Sequence, residues 1–186
     1  MQETRRVKMT KRLIKDAYIE LLERNPSKRL SITDICKVAD INRSTFYMHY
    51  EDVNQLVREI EDDLLDCIPY PQNVNTKLSE SEQFTALLER TFEYIKQNKK
   101  YFSIVFVHVE NTNFQKRIAQ TILERYKSIA ISADSLTSKY GFIFCIHGTV
   151  GIIKEWISDG FPTSSRNLAQ SVLQMCVKAT SFKQNF

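Results

Sequence analysis

The sequence predicts an all-α fold in two parts, a small N-terminal head of three helices and a larger C-terminal helical body. Three observations predict it. Apolar residues recur three and four positions apart along most of the chain, the spacing that gathers them on one face of a helix. The 186 residues include only 4 Gly and 4 Pro, little turn material for a sheet protein. Between positions 31 and 50, SITDICKVADINRSTFYMHY, two short helical patterns meet at a tight polar turn.

The first helix runs from the basic N-terminus to about Asn25-Pro26. Met9, Leu13, Ala17 and Leu21 stand at i, i+4 steps with Ile14, Tyr18 and Leu22 beside them, so one broad stripe is expected to be buried. Arg5, Arg6, Lys8, Lys11 and Arg12 precede or open this helix, against the preference of a helix N-terminus for acids. They are placed for an external partner, or, at Arg5 and Arg6, form a solubilising tail. In the second helix Ser31 is the N-cap, Asp34 helps close it from three residues on, and Ile32, Ile35, Cys36 and Ala39 supply the inward face. Asp40 ends it by taking the left-handed conformation. Asn42 caps a third helix, Arg43 to His49, in which Phe46 turns inward while Arg43, Ser44, Thr45 and Tyr47 point out.

Two helices joined by a turn of about three or four residues form a helix-turn-helix, which lays its second helix in a DNA major groove. Arg43 is the best candidate for reading a base edge, because a guanidinium pairs bidentately with guanine, and Ser44 and Thr45 suit bases or phosphate. Thr33, at the start of the preceding helix, suits phosphate oxygens together with Tyr47 and His49. Packing or plain exposure at a helix end is the alternative for Tyr47 and His49. Asn42 completes the candidate DNA-binding set.

Ile35, Ala39, Ile41 and Asn42 leading into Thr45-Phe46-Tyr47-Met48-His49-Tyr50, with Leu56 beyond, resemble the N-terminal domain of the TetR family of transcriptional regulators. The resemblance is specific over roughly Lys8 to Leu65 and architectural thereafter. It implies a three-helix head that binds a double-stranded DNA operator, a helical body that dimerises and usually binds a small-molecule effector, and a regulator that is most often a repressor. The family pattern also matches Tyr47 and His49, which favours phosphate contact there. Two positions depart from it: Asp40 replaces the usual glycine of the turn, and Val53 stands where a phosphate-touching lysine often opens the fourth helix. The missing cation favours, as the alternative, a TetR-like co-regulator that acts through a protein partner with weak or no DNA binding of its own.

Glu51 and Asp52 open that fourth helix, with Val53, Leu56, Val57, Ile60, Leu64 and Cys67 inward. It links head to body until Pro69-Tyr-Pro71 stops it, and the polar segment to Ser79 is the linker. The expected boundaries are 1–50 for the head, with the helix-turn-helix at about 31–50, 51–68 for the connecting helix and 69–186 for the dimerisation and effector body. In the body Phe84, Leu87, Leu88, Thr91, Phe92 and Ile95 define a helix ending near Asn98. The aromatic segment Tyr101 to Val109 fits a strand by composition but has no second strand to pair with, so it is assigned to a short buried helix. Another helix runs from Phe114 to about Ala133.

Residues 140–157, YGFIFCIHGTVGIIKEWI, are apolar on nearly every side, which in a soluble protein means burial against its own core and a second surface. Gly141, Gly148 and Gly151 each cost about 1 kcal/mol against alanine in a helix, so their presence signals close helix approach. Gly160 and Pro162 stop this helix, Ser164 or Ser165 caps the last one, and Leu168, Val172, Met175, Cys176 and Ala179 form its apolar stripe. Both helices meeting their symmetry mates make a four-helix homodimer interface that includes Gly148, Gly151, Leu168, Val172 and Met175, as the TetR resemblance also implies. Phe92, Tyr101, Phe106, Phe144, His147 and Trp156 offer aromatic surface with polar handles for an effector pocket. Filling the core is the competing reading of these six.

Composition narrows the class. With 42% hydrophobic and 26% charged residues the chain is ordinary for a soluble globular protein. Its +4 net charge is uneven: residues 1–50 carry 11 Lys/Arg against 6 Asp/Glu, and residues 51–68 carry 1 against 7, a basic head followed by an acidic helix. The N-terminus MQETRRVKMTKR has no apolar core of a secretory signal. The longest apolar run, Phe142 to Ile153, falls short of the ~20 residues needed to span a bilayer. A cytoplasmic protein with no membrane partner is expected. The four cysteines, Cys36, Cys67, Cys145 and Cys176, form no Cys-x-x-Cys pair and are expected to be buried free thiols. An enzyme would have to use Cys145, His147 and His108 with Glu110 or Glu155, yet two residues apart on a helix Cys145 and His147 lie about 200° round from each other. No catalytic role, metal or cofactor is expected.

Overall fold

The protein, seen in a computed structural model, is described at residues 4–25, 30–68, 79–108, 112–125 and 136–180. Every regular element among them is helical. α1 (Arg5–Arg24) begins at Thr4, whose hydroxyl accepts from the Val7 amide. α2 (Ile32–Val38) starts with a full capping box: the Ser31 side chain accepts from the Asp34 amide and the Asp34 carboxylate accepts from the Ser31 amide. Asp40 then takes φ 51°, the left-handed turn that a short polar side chain tolerates. α3 (Arg43–Tyr47) stops two residues before the expected His49, because the His49 amide bonds to the Phe46 carbonyl at 2.9 Å and tightens the last turn. Asn42 occupies the N-cap position without a side-chain capping bond, contrary to expectation. α4 (Val53–Asp66) is capped by Asp52, which accepts from the Gln55 amide at 2.7 Å.

The chain forms two compact units, Met1–Leu64 with Lys100–Glu110, and Leu65–Lys99 with Asn111–Phe186. In the first, Ile14, Ala17, Tyr18 and Leu22 of α1 share a core with Ile35, Cys36, Phe46, Leu56, Ile60 and Leu64. The stripe expected through Met9 and Leu13 is not the buried one: they are 54% and 45% exposed. At 100° per residue Leu13 lies about 140° and Met9 about 180° from Tyr18 around the helix, so a face centred on Tyr18 turns both outward. The aromatic segment assigned to the body folds with this unit instead. α6 (Lys99–Ser103) runs into a π-helical turn, Ile104–His108, and Phe102, Ile104, Val105 and Phe106 are buried, the turn packing against α1. The Tyr101 hydroxyl donates to the Asp16 carboxylate, and burial, reinforced by that carboxylate, raises the phenol pKa.

The second unit contains α5 (Glu80–Gln97), α7 (Thr112–Arg125), α8 (Leu136–Ser158) and α9 (Ser165–Thr180). α9 packs against α5 and α8, and α7 against α8. Ser79 and Glu82 form a second capping box at the start of α5. Gly160, φ 74°, and Phe161, φ 64°, stop α8, with the Phe161 amide on the Trp156 carbonyl at 2.8 Å. Ser164, rather than Ser165, caps α9 by accepting from the Asn167 amide, while Ser165 donates to Glu93 at 2.9 Å. Arg125 donates to the Ile68 carbonyl and pairs with Asp66 at 3.6 Å, which fastens α7 to the end of α4. α1 ends as expected near Asn25, its C-cap, while Pro26, the expected terminator Pro69-Tyr-Pro71, the linker to residue 78 and the stretch from residue 126 to Ala133 lie outside the described residues.

The expected thiol burial is uneven. Cys36 is buried and Cys145 and Cys176 half-buried, but Cys67 is exposed because it follows the last residue of α4 instead of extending its inward face. The Cys145 thiol donates to the Cys176 carbonyl at 3.9 Å, and burial together with that neighbouring thiol pushes Cys176 up to about 12. Among the described residues no helix is long and apolar enough to cross a membrane.

Candidate nucleic-acid interface

The third helix is held by one buried ring. Phe46 is fully buried, with Tyr47 edge-on at 6.0 Å between ring centroids and Tyr50 at 5.6 Å. Tyr50, 1% exposed, donates its hydroxyl to Glu59 at 3.3 Å, and Glu59 also receives Lys15 at 2.7 Å and Lys11 at 3.1 Å. Lys15 makes a second pair with Asp63, and the Lys11 ammonium lies 5.9 Å from the centre of the Tyr50 ring. Burial raises the Glu59 pKa, but the bonds and charges of Lys15 and Lys11 outweigh it and hold the carboxyl below its usual range. This cluster ties α1, α4 and the end of the helix-turn-helix into one support.

With Phe46 fixed inward, the opposite face of α3 is committed to solvent. Asn42, Arg43 and Ser44 are exposed, Tyr47 is 50% exposed, and Thr45 and His49 are half-buried. Thr33 is exposed at the start of α2. Thr33, Asn42, Arg43 and Thr45 line an open concavity of about 710 Å³ together with Cys36, Lys37, Asp40 and Ile41. The Cys36 thiol at its floor is raised by burial and pulled the other way by the Arg43 charge. A polar hollow with an arginine and a lysine on its rim can accept phosphate oxygens and base edges. Lys37, absent from the expected set, carried one readable signal: a cation in the last turn of α2, beside the turn. Of the basic residues at the start of α1, Lys11 is engaged by Glu59 and Arg12 lies 3.6 Å from Asp16, while Arg5, Arg6 and Lys8 are exposed.

The six residues expected around an effector pocket are divided between the two units. Tyr101 and Phe106 belong to the first unit. In the second, Phe92 and Trp156 are buried with ring centroids 5.9 Å apart, whereas Phe144, 66% exposed, and His147 lie on the outer surface of α8. Among the six, Phe92, Phe106 and Trp156 fill a core, whereas Phe144 and His147 are open surface. Among the residues weighed for catalysis, Cys145 contacts Cys176 while His147 is exposed, and the His108 side chain and Glu110 lie outside the described residues.

The expected interface set also divides. Leu168 and Val172, 8% and 2% exposed, are core residues of their own unit, because α9 turns that stripe onto α5 and α8. Met175 is 47% exposed, and Gly148 and Gly151 are exposed with nothing within 4 Å of a Cβ added at either. Tyr140 and Phe144 continue the open apolar face of α8.

Comparison with known proteins adds an independent line. The TetR_C_8 family profile, described as a transcriptional regulator C-terminal region, matches residues 82–178. The chain is 28% identical over 104 residues to the HTH-type dhaKLM operon transcriptional activator DhaS of Lactococcus lactis subsp. lactis (strain IL1403), covering 55% of this chain and 52% of that protein. The match thus spans about half the length of that relative. A TetR transcriptional regulator from Streptococcus agalactiae 2603V superposes with a TM-score of 0.69 at 20% identity, over 92% of this chain and 96% of that one. The transcriptional regulator FadR from Bacillus subtilis, solved in complex with stearoyl-CoA, superposes with a TM-score of 0.69 at 15% identity, over 90% of this chain and 97% of its own. At such identities the structural likeness is one of fold.

Proposed function

This chain belongs to the TetR family of transcriptional regulators, and we propose that it works in the cytoplasm as a homodimeric repressor that occupies a double-stranded DNA operator and answers to a small-molecule effector. The observation that carries the reading is the clamped recognition helix: Phe46 and Tyr50 are pinned inward, so Arg43, Ser44 and Tyr47 face out beside a polar hollow. Arg43 reads a base edge, Asn42, Ser44 and Thr45 reach bases or phosphate, and Thr33, Tyr47 and His49 hold phosphates. The head, the connecting helix and the body follow the boundaries 1–50, 51–68 and 69–186 in this reading, except that the segment from Tyr101 to Phe106 folds with the unit of the head.

Dimerisation is supported by the open face of α8. Two glycines with free space above them and the exposed side chains of Tyr140 and Phe144 suit close approach of a second copy, with Met175 alongside. An effector is supported by the B. subtilis FadR complex with stearoyl-CoA. Repression requires only that the bound dimer block a promoter, whereas activation needs a further productive contact; the activator DhaS is the reason to measure the sign.

A second reading, a co-regulator recruited by another protein, is favoured by Val53, which leaves the first turn of α4 without a cation. A gel-shift titration with the DNA upstream of the chain's own gene separates the two. Retarded DNA that is competed by itself and not by unrelated duplex is expected. A folded dimer that shifts no DNA replaces the first reading by the second, and a promoter fusion reports whether the regulator lowers or raises transcription.

A further inference from the structure

We propose that Met48 reads thymine 5-methyl groups in the operator, giving the recognition helix an apolar specificity contact beside its polar ones. The inference rests on the DNA-binding reading above. Met48 is 73% exposed, the highest value among the large apolar side chains described. Leaving so large an apolar side chain in water forgoes the free energy that its burial would return. The exposure is not that of a loose loop. Met48 has helical backbone angles, φ −68° and ψ −19°, and its amide bonds to the Ser44 carbonyl at 3.1 Å. Its neighbours two positions away on each side, Phe46 and Tyr50, are both buried, and the Tyr50 hydroxyl is tied to Glu59. The backbone that carries Met48 is therefore held from both sides.

Helical geometry sets its direction. Met48 lies about 200° round from the buried Phe46 and one turn beyond Ser44, so it continues the outward face of Ser44 and Tyr47. That face otherwise offers only groups that hydrogen-bond, or a ring. In a major groove the base edges present donors and acceptors at every pair, and the one apolar feature is the methyl of thymine. A flexible, polarisable thioether can settle on such a methyl without exact geometry. A serine or lysine in its place would contact phosphate and carry no such preference. Arg43 and Met48, five positions apart on this element, would then read different base pairs of one half-site by different chemistry.

The test starts from duplexes enriched by the full-length protein from a randomised library. Each thymine of the best duplex is replaced in turn by deoxyuridine, which removes only the methyl, and wild type, Met48→Ala and Met48→Leu are titrated on the set. Loss of one buried methyl corresponds to about fourfold weaker binding. Wild type is expected to show that loss at one or two thymines per half-site. Met48→Ala is expected to bind thymine and uracil alike there, and Met48→Leu to keep most of the difference. Circular dichroism checks that the variants fold as wild type does, as an exposed position should allow. The proposal is overturned if wild type is indifferent to every uracil, or if Met48→Ala keeps the same penalties. Enrichment of no duplex at all would overturn both this inference and the DNA-binding reading, whereas an enriched but uracil-blind operator removes the inference alone.

Discussion

Replacing Glu59 by glutamine takes away the charge at the centre of the cluster that supports the recognition helix. Glu59 receives Lys15 at 2.7 Å, Lys11 at 3.1 Å and the Tyr50 hydroxyl at 3.3 Å. Glutamine keeps the shape and one acceptor oxygen. The lysine side chains are only 11% and 20% exposed, so little water replaces the lost carboxylate, although Asp63 at 2.5 Å still serves Lys15. A hydrogen bond to a charged group contributes roughly 1.5–3 kcal/mol and an exposed ion pair up to about 1 kcal/mol. With Glu59 29% exposed, the loss falls between these limits, near ~2 kcal/mol. For a chain of this length that lowers Tm by roughly 4–8 °C. The pH dependence has a definite sign. Because Lys15 and Lys11 hold the folded carboxyl below its usual range, its contribution is fully present above the unfolded value of about 4.3 and is lost as pH falls through the depressed folded value. Thermal unfolding followed by circular dichroism should therefore show wild type melting above Glu59→Gln near pH 7, and the two curves converging below about pH 4. Equal melting temperatures at neutral pH, or a gap undiminished near pH 3, would refute the reasoning.

Four further outcomes follow from the same geometry. Arg43→Ala should leave the fold intact, since Arg43 is exposed, while weakening operator binding by the equivalent of about 1–3 kcal/mol and relaxing sequence preference; an unchanged selected sequence and affinity would remove Arg43 from base readout. Val53→Lys should tighten DNA binding and steepen its log-log salt dependence by roughly one unit, at about 0.3–1 kcal/mol of helix stability, and an unaltered slope would show that the first turn of α4 does not reach phosphate. Gly148→Leu meets nothing within 4 Å at its Cβ and should stabilise α8 by about 1 kcal/mol yet weaken dimerisation by filling the open face; sedimentation showing an undisturbed dimer would count against that face. Val172→Asp, by contrast, should unfold its unit, because Val172 is 2% exposed.

The sequence by itself determined the helices and many of their ends, because those signals are local. Ser31 and Asp34, Asp40, and Gly160 with Pro162 act within one turn of chain, and each stops or starts a helix where the structure does. Phe46 inward and Arg43 outward were equally legible, since a short helix behind a tight turn has only one way to bury its largest apolar side chain. In the body no comparably short motif stood out, yet the family profile matches residues 82–178, where the pattern is spread over several helices. Only the tertiary structure decided which of several apolar faces met a partner. A periodic stripe tells that a face is apolar, not what lies opposite it. For this reason Met9 and Leu13 stand exposed beside a core centred on Tyr18, Val105 and Phe106 fold with α1, and Leu168 and Val172 are spent on the core of their own unit while two glycines remain open. The Glu59 cluster was unreadable for the same reason: its partners Lys11 and Lys15 lie 48 and 44 positions away, and a charge pair at that separation leaves no period in the sequence. Spacing along a chain encodes direction around a helix axis, and the neighbour in that direction is supplied by the fold.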